Sequence, residues 1–233
     1  MSQFMTPFDF TVDEAYSRKH NEFFRDAKRL QIAAGILAAL LIAVVIALFV
    51  TLGVSVTSIA LGITFGFFAL LCLVVIPVLP RKMGDPQHYY NMYDLVPAMV
   101  AKVNPRDMVL LALVDATADP SNPSRPALAA RTVTSVPGIP REVGTHVPSM
   151  AVTGIQTLRS KGLYEEISPM PVAWGTKDSQ VWKLAERAIP RNHWAMLQGL
   201  LNQVDDVLAT KRNLLLLDPD THGKAMGKHA SEN

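Results

Sequence analysis

The reading of this chain turns on two stretches, IAAGILAALLIAVVIALFVTL at residues 32–52 and IALGITFGFFALLCLVVIPVL at residues 59–79. They lie in a run of 51 residues, from Leu30 to Pro80, that contains no Asp, Glu, Lys, Arg or His. A bilayer core about 30 Å thick is crossed by roughly 20 apolar residues in a helix. Each half reaches about 31 Å at a rise of about 1.5 Å per residue. Between them, Gly53-Val54-Ser55-Val56-Thr57-Ser58 supplies the small and polar side chains of a turn. In hydrocarbon every backbone N–H and C=O must bond within its own segment, which dictates helices. Neither half carries the polar stripe of a helix lying on a soluble core. The run is therefore read as a two-helix transmembrane hairpin.

Charge orients the hairpin. Arg18, Lys19, Arg25, Lys28 and Arg29 precede it, Arg81, Lys82, Lys102 and Arg106 follow it, and the connecting loop has no charge. By the positive-inside rule this is a two-span plasma-membrane protein with both termini cytoplasmic. The first span follows a long polar segment and is followed at once by a second, unlike a cleaved signal. The spans hold no ionisable side chain, so a proton relay or ion path in this chain alone is not expected.

Small residues recur at intervals of four within the spans. Gly35, Ala39, Ala43 and Ala47 form one row, and Gly62 and Gly66 form a GxxxG pair. Such rows let helix backbones approach closely where no hydrophobic effect operates between helices. Either the two helices pack on each other, which is the favoured reading, or one row meets a helix of another protein.

Before the spans, Thr11-Val12-Asp13-Glu14 reads as a capping box. It predicts one long helix from about Val12 into the apolar run, with Tyr16, Phe23 and Phe24 along one side. Phe4, Phe8 and Phe10 place three rings in the first ten residues, as in a segment that adheres to lipid or protein.

After residue 85 the texture changes. Residues 108–116, 127–136, 145–153 and 164–174 read as strands separated by Pro- and Gly-rich turns. The loop 120–126 holds three prolines. Two helices follow, 178–189 and one capped by Asn192 that runs to about Lys211. The run 214–217 is either a last strand or a buried helix end. The expected architecture is a membrane α-helical hairpin plus an α+β soluble domain, its small β-sheet or partly open β-barrel covered by two C-terminal helices. Four parts follow: an amphipathic N-terminal segment and helix (1–31), the hairpin (32–79), a cytoplasmic α+β domain (85–217) and a polar tail (218–233).

Candidate chemistry is sparse. The one cysteine, Cys72, lies in a span, which excludes an intrachain disulfide and a thiol metal site. Asp218 to Gly223 resembles the start of a calcium loop, but the position that needs a bidentate Glu is His229. His222 and His229 lack supporting carboxylates. Glu165 and Glu166 are adjacent, so in a strand they point to opposite faces. His146 and His193 are isolated, and no phosphate-binding or nucleophile motif is present. Pro169-Met170-Pro171-Val172-Ala173-Trp174-Gly175-Thr176 is the most distinctive stretch of the domain, and Trp174 is its central residue of interest. It is read as packed, with ligand or partner contact as the alternative. A net charge of +2 and the lack of a basic module give no nucleic-acid partner. No cofactor, no metal and no enzymatic activity are expected.

The order of a double span, a β-rich region ending in PMPVAWGT (169–176) and a helical end with Trp182 and Trp194 resembles an actinobacterial family of two-span membrane proteins of unassigned function. In size and build it is also similar to accessory subunits of the corynebacterial cytochrome bc–cytochrome oxidase respiratory supercomplex. The resemblance implies a non-catalytic accessory or assembly subunit of a larger membrane complex, in contact with the lipid bilayer. The alternative is a membrane-tethered module that holds a small ligand or peptide in its β-domain. Phe4, Phe8, Phe10 and Trp174 are the candidate contact residues.

Overall fold

The computed structural model describes residues 4–119, 121–154 and 162–217. They divide into two units: residues 21–85 form one, and the N-terminal residues up to His20 together with those from Pro86 onward form the other.

The single long N-terminal helix of the sequence reading is corrected to two. Helix α1 (Glu14–His20) ends before Asn21, and α2 (Glu22–Leu52) begins after it. Asn21 is extended (φ −74°, ψ 118°), and its Oδ1 accepts from the Phe23 N–H at 3.0 Å. That is the conformation and bond of an N-cap, a position where Asn is among the best residues. The cap of α1 moves as well. Asp13, not Thr11, accepts from the Tyr16 N–H, at 3.0 Å.

Helix α3 (Val56–Met83) returns beside α2. Gly53 closes α2 at φ +61°, the left-handed region that a side chain resists. Ser58 Oγ accepts from the Ser55 N–H at 2.9 Å and lies 2.7 Å from the Gly53 carbonyl oxygen, which fixes the turn. The less exposed positions of α2 include Gln31, Ala34, Ala38, Leu41, Val45 and Leu48. Those of α3 include Ser58, Gly62, Phe65, Ala69, Cys72, Ile76 and Leu79. Their spacing alternates between three and four, the 3.5-residue seam of a left-handed helix pair. Ser58, Ala38 and Ala69 are its most enclosed residues.

One polar tie crosses the seam. Pro80 has no N–H, so the carbonyl of Ile76, four residues earlier, lacks its helical donor. Gln31 Nε2 donates to that oxygen at 2.7 Å. An unmet carbonyl in hydrocarbon is costly, which gives the one amide side chain of the apolar run a structural use.

In the other unit, α4 (Pro86–Asn91) leads into β1 (Leu95–Val96), β2 (Ala98–Val103), β3 (Met108–Asp115) and β4 (Pro126–Val133). Strands β5 (Ser149–Thr153), β6 (Ile167–Pro171) and β7 (Leu214–Leu216) complete two antiparallel sheets. One sheet has the order β2-β3-β4-β7, the other β1-β5-β6, and neither closes into a barrel. Strand β3 is buried over all eight residues and pairs β4 in unbroken register from Met108↔Val133 to Asp115↔Pro126. Between the sheets lie Val96, Ala98, Ala112, Val114, Ala116, Ala127, Ala129, Ala151 and Ile167. Most of these are alanines, so the sheets approach closely on small side chains. Alternation sends Leu111, Leu113 and Leu128 to the opposite face.

The C-terminal helices are α5 (Ser179–Ala188), α6 (Arg191–Gly199) and α7 (Val204–Ala209). Helix α6 packs on β2 and β3, and α7 on β4. The second predicted helix is thus two, separated by a 3-10 turn at Leu201–Gln203, and it starts after Pro190 without the side-chain cap expected of Asn192. Of the two readings of 214–217, the strand is the one found. Strands β1 and β2 and helix α4 had no place in the sequence reading.

Candidate functional site

The helix rows seen in the sequence are split by the fold. Gly35 sits beside Ile76, and Gly62 lies under the Phe49 ring, where an added Cβ would be 2.9 Å from the ring. Gly66 has no neighbour within 4 Å of such a Cβ. Ala39, Ala43 and Ala47 are exposed on α2. A row with a four-residue step rotates away from a seam with a 3.5-residue step, so three of its four members end outside the helix pair.

The N-terminal rings are built into the second unit. Phe4 is buried, with its ring 5.2 Å from that of His193. Phe10 meets Tyr90 edge-on at 5.2 Å, and Phe8 lies 5.9 Å from Phe10. Thr6 pairs with Leu95 and so extends the smaller sheet past β1. Gln87 fastens the segment further. Its Oε1 accepts from the Val12 N–H and its Nε2 donates to the Phe10 carbonyl, both at 2.8 Å. Gly175 lies against Phe10 and Tyr90 so closely that an added Cβ would be 2.9 Å from each ring.

Trp174 is fully buried on the 3-10 turn Val172–Trp174 that follows β6. Its Nε1 donates to the Ser135 carbonyl at 3.0 Å, and Arg131 lies over the ring, with Cζ 5.4 Å from the centroid. Of the two readings of this residue, packing is the one the geometry supports.

A concavity of the unit lies at one end of the two sheets. It is a cavity of about 390 Å³ lined by Met5, Met92, Tyr93, Asp94, Asp115, Thr117, Ala118, Asn122, Ser124, Ala151, Thr153 and Tyr164. Asp115, at the end of β3, is 2% exposed and engaged. It accepts from the Thr117 N–H at 2.9 Å, Ser124 Oγ at 2.7 Å and the Arg125 N–H at 3.1 Å, and so pins the start and end of the proline-rich loop. Asp94, just before β1, has no hydrogen-bond donor to its carboxylate among the described residues. Burial pushes its pKa above the usual 3.8. Burial likewise raises the Tyr93 hydroxyl, and Tyr89 packs on Tyr93 at 5.4 Å. No sequence spacing marked this place, because its residues come from five separate segments.

The two histidines part company. His193 is buried against Phe4, its Nδ1 has no partner among the described residues, and burial lowers its pKa. His146, isolated in sequence, meets Glu186 at 2.6 Å and stacks on Trp194 at 4.2 Å. Among the described residues no group of three or more His, Cys, Asp or Glu is placed to hold a metal ion. The tail positions His222 and His229 lie outside the described residues.

These features define a class: two long apolar helices joined to a soluble domain of two small open antiparallel sheets with C-terminal helices. The chain belongs to the family described as "Protein of unknown function (DUF3239)", which it matches over residues 81–205. It is also 50% identical to a chain from Corynebacterium diphtheriae whose crystal structure is described as that of "a putative membrane protein". That likeness has a TM-score of 0.51 and covers 53% of this chain and 100% of that one. No curated protein matches.

Proposed function

We propose that the chain is a membrane-anchored subunit, without catalysis of its own, that joins a larger membrane complex through the outer face of its hairpin. The observation that carries this reading is the exposed row Ala39, Ala43 and Ala47, which the α2–α3 seam leaves uncovered. Between lipid-embedded helices it is close backbone approach, not hydrophobicity, that drives association. The apolar helices and the description of the Corynebacterium relative agree with a membrane location. The charge distribution supports reading both termini as cytoplasmic by the positive-inside rule. By resemblance of chain order alone, the assembly is taken to be the cytochrome bc–cytochrome oxidase supercomplex.

A photoreactive side chain at Ala43 tests this in native membranes. The expected product is an adduct with one discrete larger protein, while the same group at Ala38 yields only intrachain products. Adducts from Ala43 with lipid alone would sink the assembly role. A discrete partner other than a bc or oxidase subunit would retire the supercomplex assignment.

A second reading, a tethered binding module, rests on the cavity beside Asp94. Its carboxyl is the group that would orient a polar ligand. Because burial raises this pKa, the folded state holds the proton more readily than the unfolded chain. The stability this group supplies is complete below its unfolded pKa and is lost as pH rises through the folded one. Asp94→Asn, neutral throughout, is therefore expected to unfold at a higher temperature than the parent at pH 7. The gain should vanish below about pH 4. An Asn variant equally or less stable at pH 7 would show that the carboxylate is not held at a cost.

A further inference from the structure

We propose that the groove at the corner between α5 and α6 binds a small phosphate-type oxyanion. The groove encloses about 590 Å³ and is lined by His146, Glu186, Arg187, Ile189, Arg191 and Trp194. Arg187 stands in the last turn of α5, and Arg191 is the first residue of α6. The Ile189-Pro190 corner thus brings two arginines to the lining of one concavity, and neither has an ion-pair partner among the described residues. Guanidinium forks match the paired oxygens of phosphate or carboxylate.

The groove is also organised in advance. Backbone bonds from Val100 N–H to the Thr145 carbonyl and from Val147 N–H to the Ala98 carbonyl hold His146 beside β2. Its ring is stacked on Trp194 at 4.2 Å with an interplanar angle of 8°, and its Nδ1 lies 2.6 Å from Glu186 Oε1. Trp194 is held in turn by its Nε1, which donates to the Glu186 carbonyl at 3.2 Å. His146 Nε2 remains for a ligand. A metal ion is the poorer occupant: it would find one imidazole and one carboxylate, opposed by two cations, whereas structural sites use about four ligands. The Glu186 carboxylate opposes an anion, but two guanidinium groups outweigh it.

Two probes are titrated calorimetrically into the full chain held in amphipol: inorganic phosphate, and dihexanoylphosphatidylglycerol below its micelle concentration. Saturable binding of either supports the site, and the contrast between them separates a free phosphate from a lipid headgroup. Arg187→Gln and Arg191→Gln are each expected to weaken binding about tenfold, while Arg106→Gln, at an exposed position elsewhere, leaves it unchanged. Glu186→Gln keeps an acceptor for His146 and removes the opposing charge, so it should tighten binding roughly twofold to fivefold. Unfolding temperatures of the variants confirm that each is folded. No saturable heat with either probe, equal affinity in the double arginine variant, or weaker binding by a folded Glu186→Gln would each overturn the proposal.

Discussion

Trp174→Ala is expected to destabilise the soluble unit by about 3–5 kcal/mol, the range for removing a buried Trp or Phe side chain. In a unit of this size that lowers the unfolding temperature by roughly 6–20 °C. Two losses combine. The ring has no exposed surface, so its removal leaves a void that the flanking strand end and turn cannot close. The Ser135 carbonyl also loses the Nε1 donor that reached it at 3.0 Å. Trp174→Phe separates the two terms, because it keeps most of the apolar volume and removes only the donor. Its cost should be about 1–2 kcal/mol. Thermal unfolding followed by near-ultraviolet circular dichroism reads both variants. If Trp174→Ala melts with the parent, the ring is not a core element and a ligand or partner role for this position reopens.

Gly138→Ala should cost a similar amount for a different reason. Gly138 has φ +77°, a left-handed conformation that costs a residue with a Cβ about 1–2 kcal/mol. A Cβ there would also stand 2.5 Å from Cη2 of Trp182, closer than any real contact. The ring cannot simply step aside, because its Nε1 donates to the Thr176 carbonyl at 2.9 Å. Overpacking adds about 1–3 kcal/mol, for a total of about 2–5 kcal/mol. The diagnostic comparison is the double variant Gly138→Ala with Trp182→Leu, which relieves the clash but not the backbone strain. It should recover the steric part, so that the two changes together cost less than their sum. Strict additivity would show that the ring and the glycine are independent.

Much of this architecture was legible because it is written in local patterns. Hydropathy over some twenty residues is a property of the segment itself, and it marked both apolar helices, although α2 begins at Glu22, ten residues before the apolar stretch, and α3 runs from Val56 to Met83. Punctuation by Pro and Gly located β3, β4 and β5, since clusters of those residues between apolar runs favour turns over regular structure. Short segments were harder. Strand β1 has two residues and gains its identity from Thr6 on one side and Met150 on the other, neighbours far away in the chain. The break at Asn21 was missed because the helical periodicity on either side is continuous. A side chain that caps and one that merely occupies a helix look alike until the backbone is known.

Residues that matter together were the least legible. His146 and Glu186 lie 40 positions apart, and Asp94 precedes β1 while Asp115 ends β3; no spacing rule joins either pair. The helix rows teach the same lesson at shorter range. Small residues four apart were plain in the sequence, but the seam follows a 3.5-residue period, so it kept Gly35 and turned Ala39, Ala43 and Ala47 outward.

The amino-acid order alone determined that two apolar helices adjoin a domain of short strands and amphipathic helices, because propensity and hydropathy act over neighbouring residues. Only the tertiary structure decided that the first residues complete a sheet, that Trp174 is enclosed, and that a histidine, a glutamate and two arginines share one groove. Those facts depend on which distant backbones pair and which side chains then meet, and pairing is settled by burial across the whole unit.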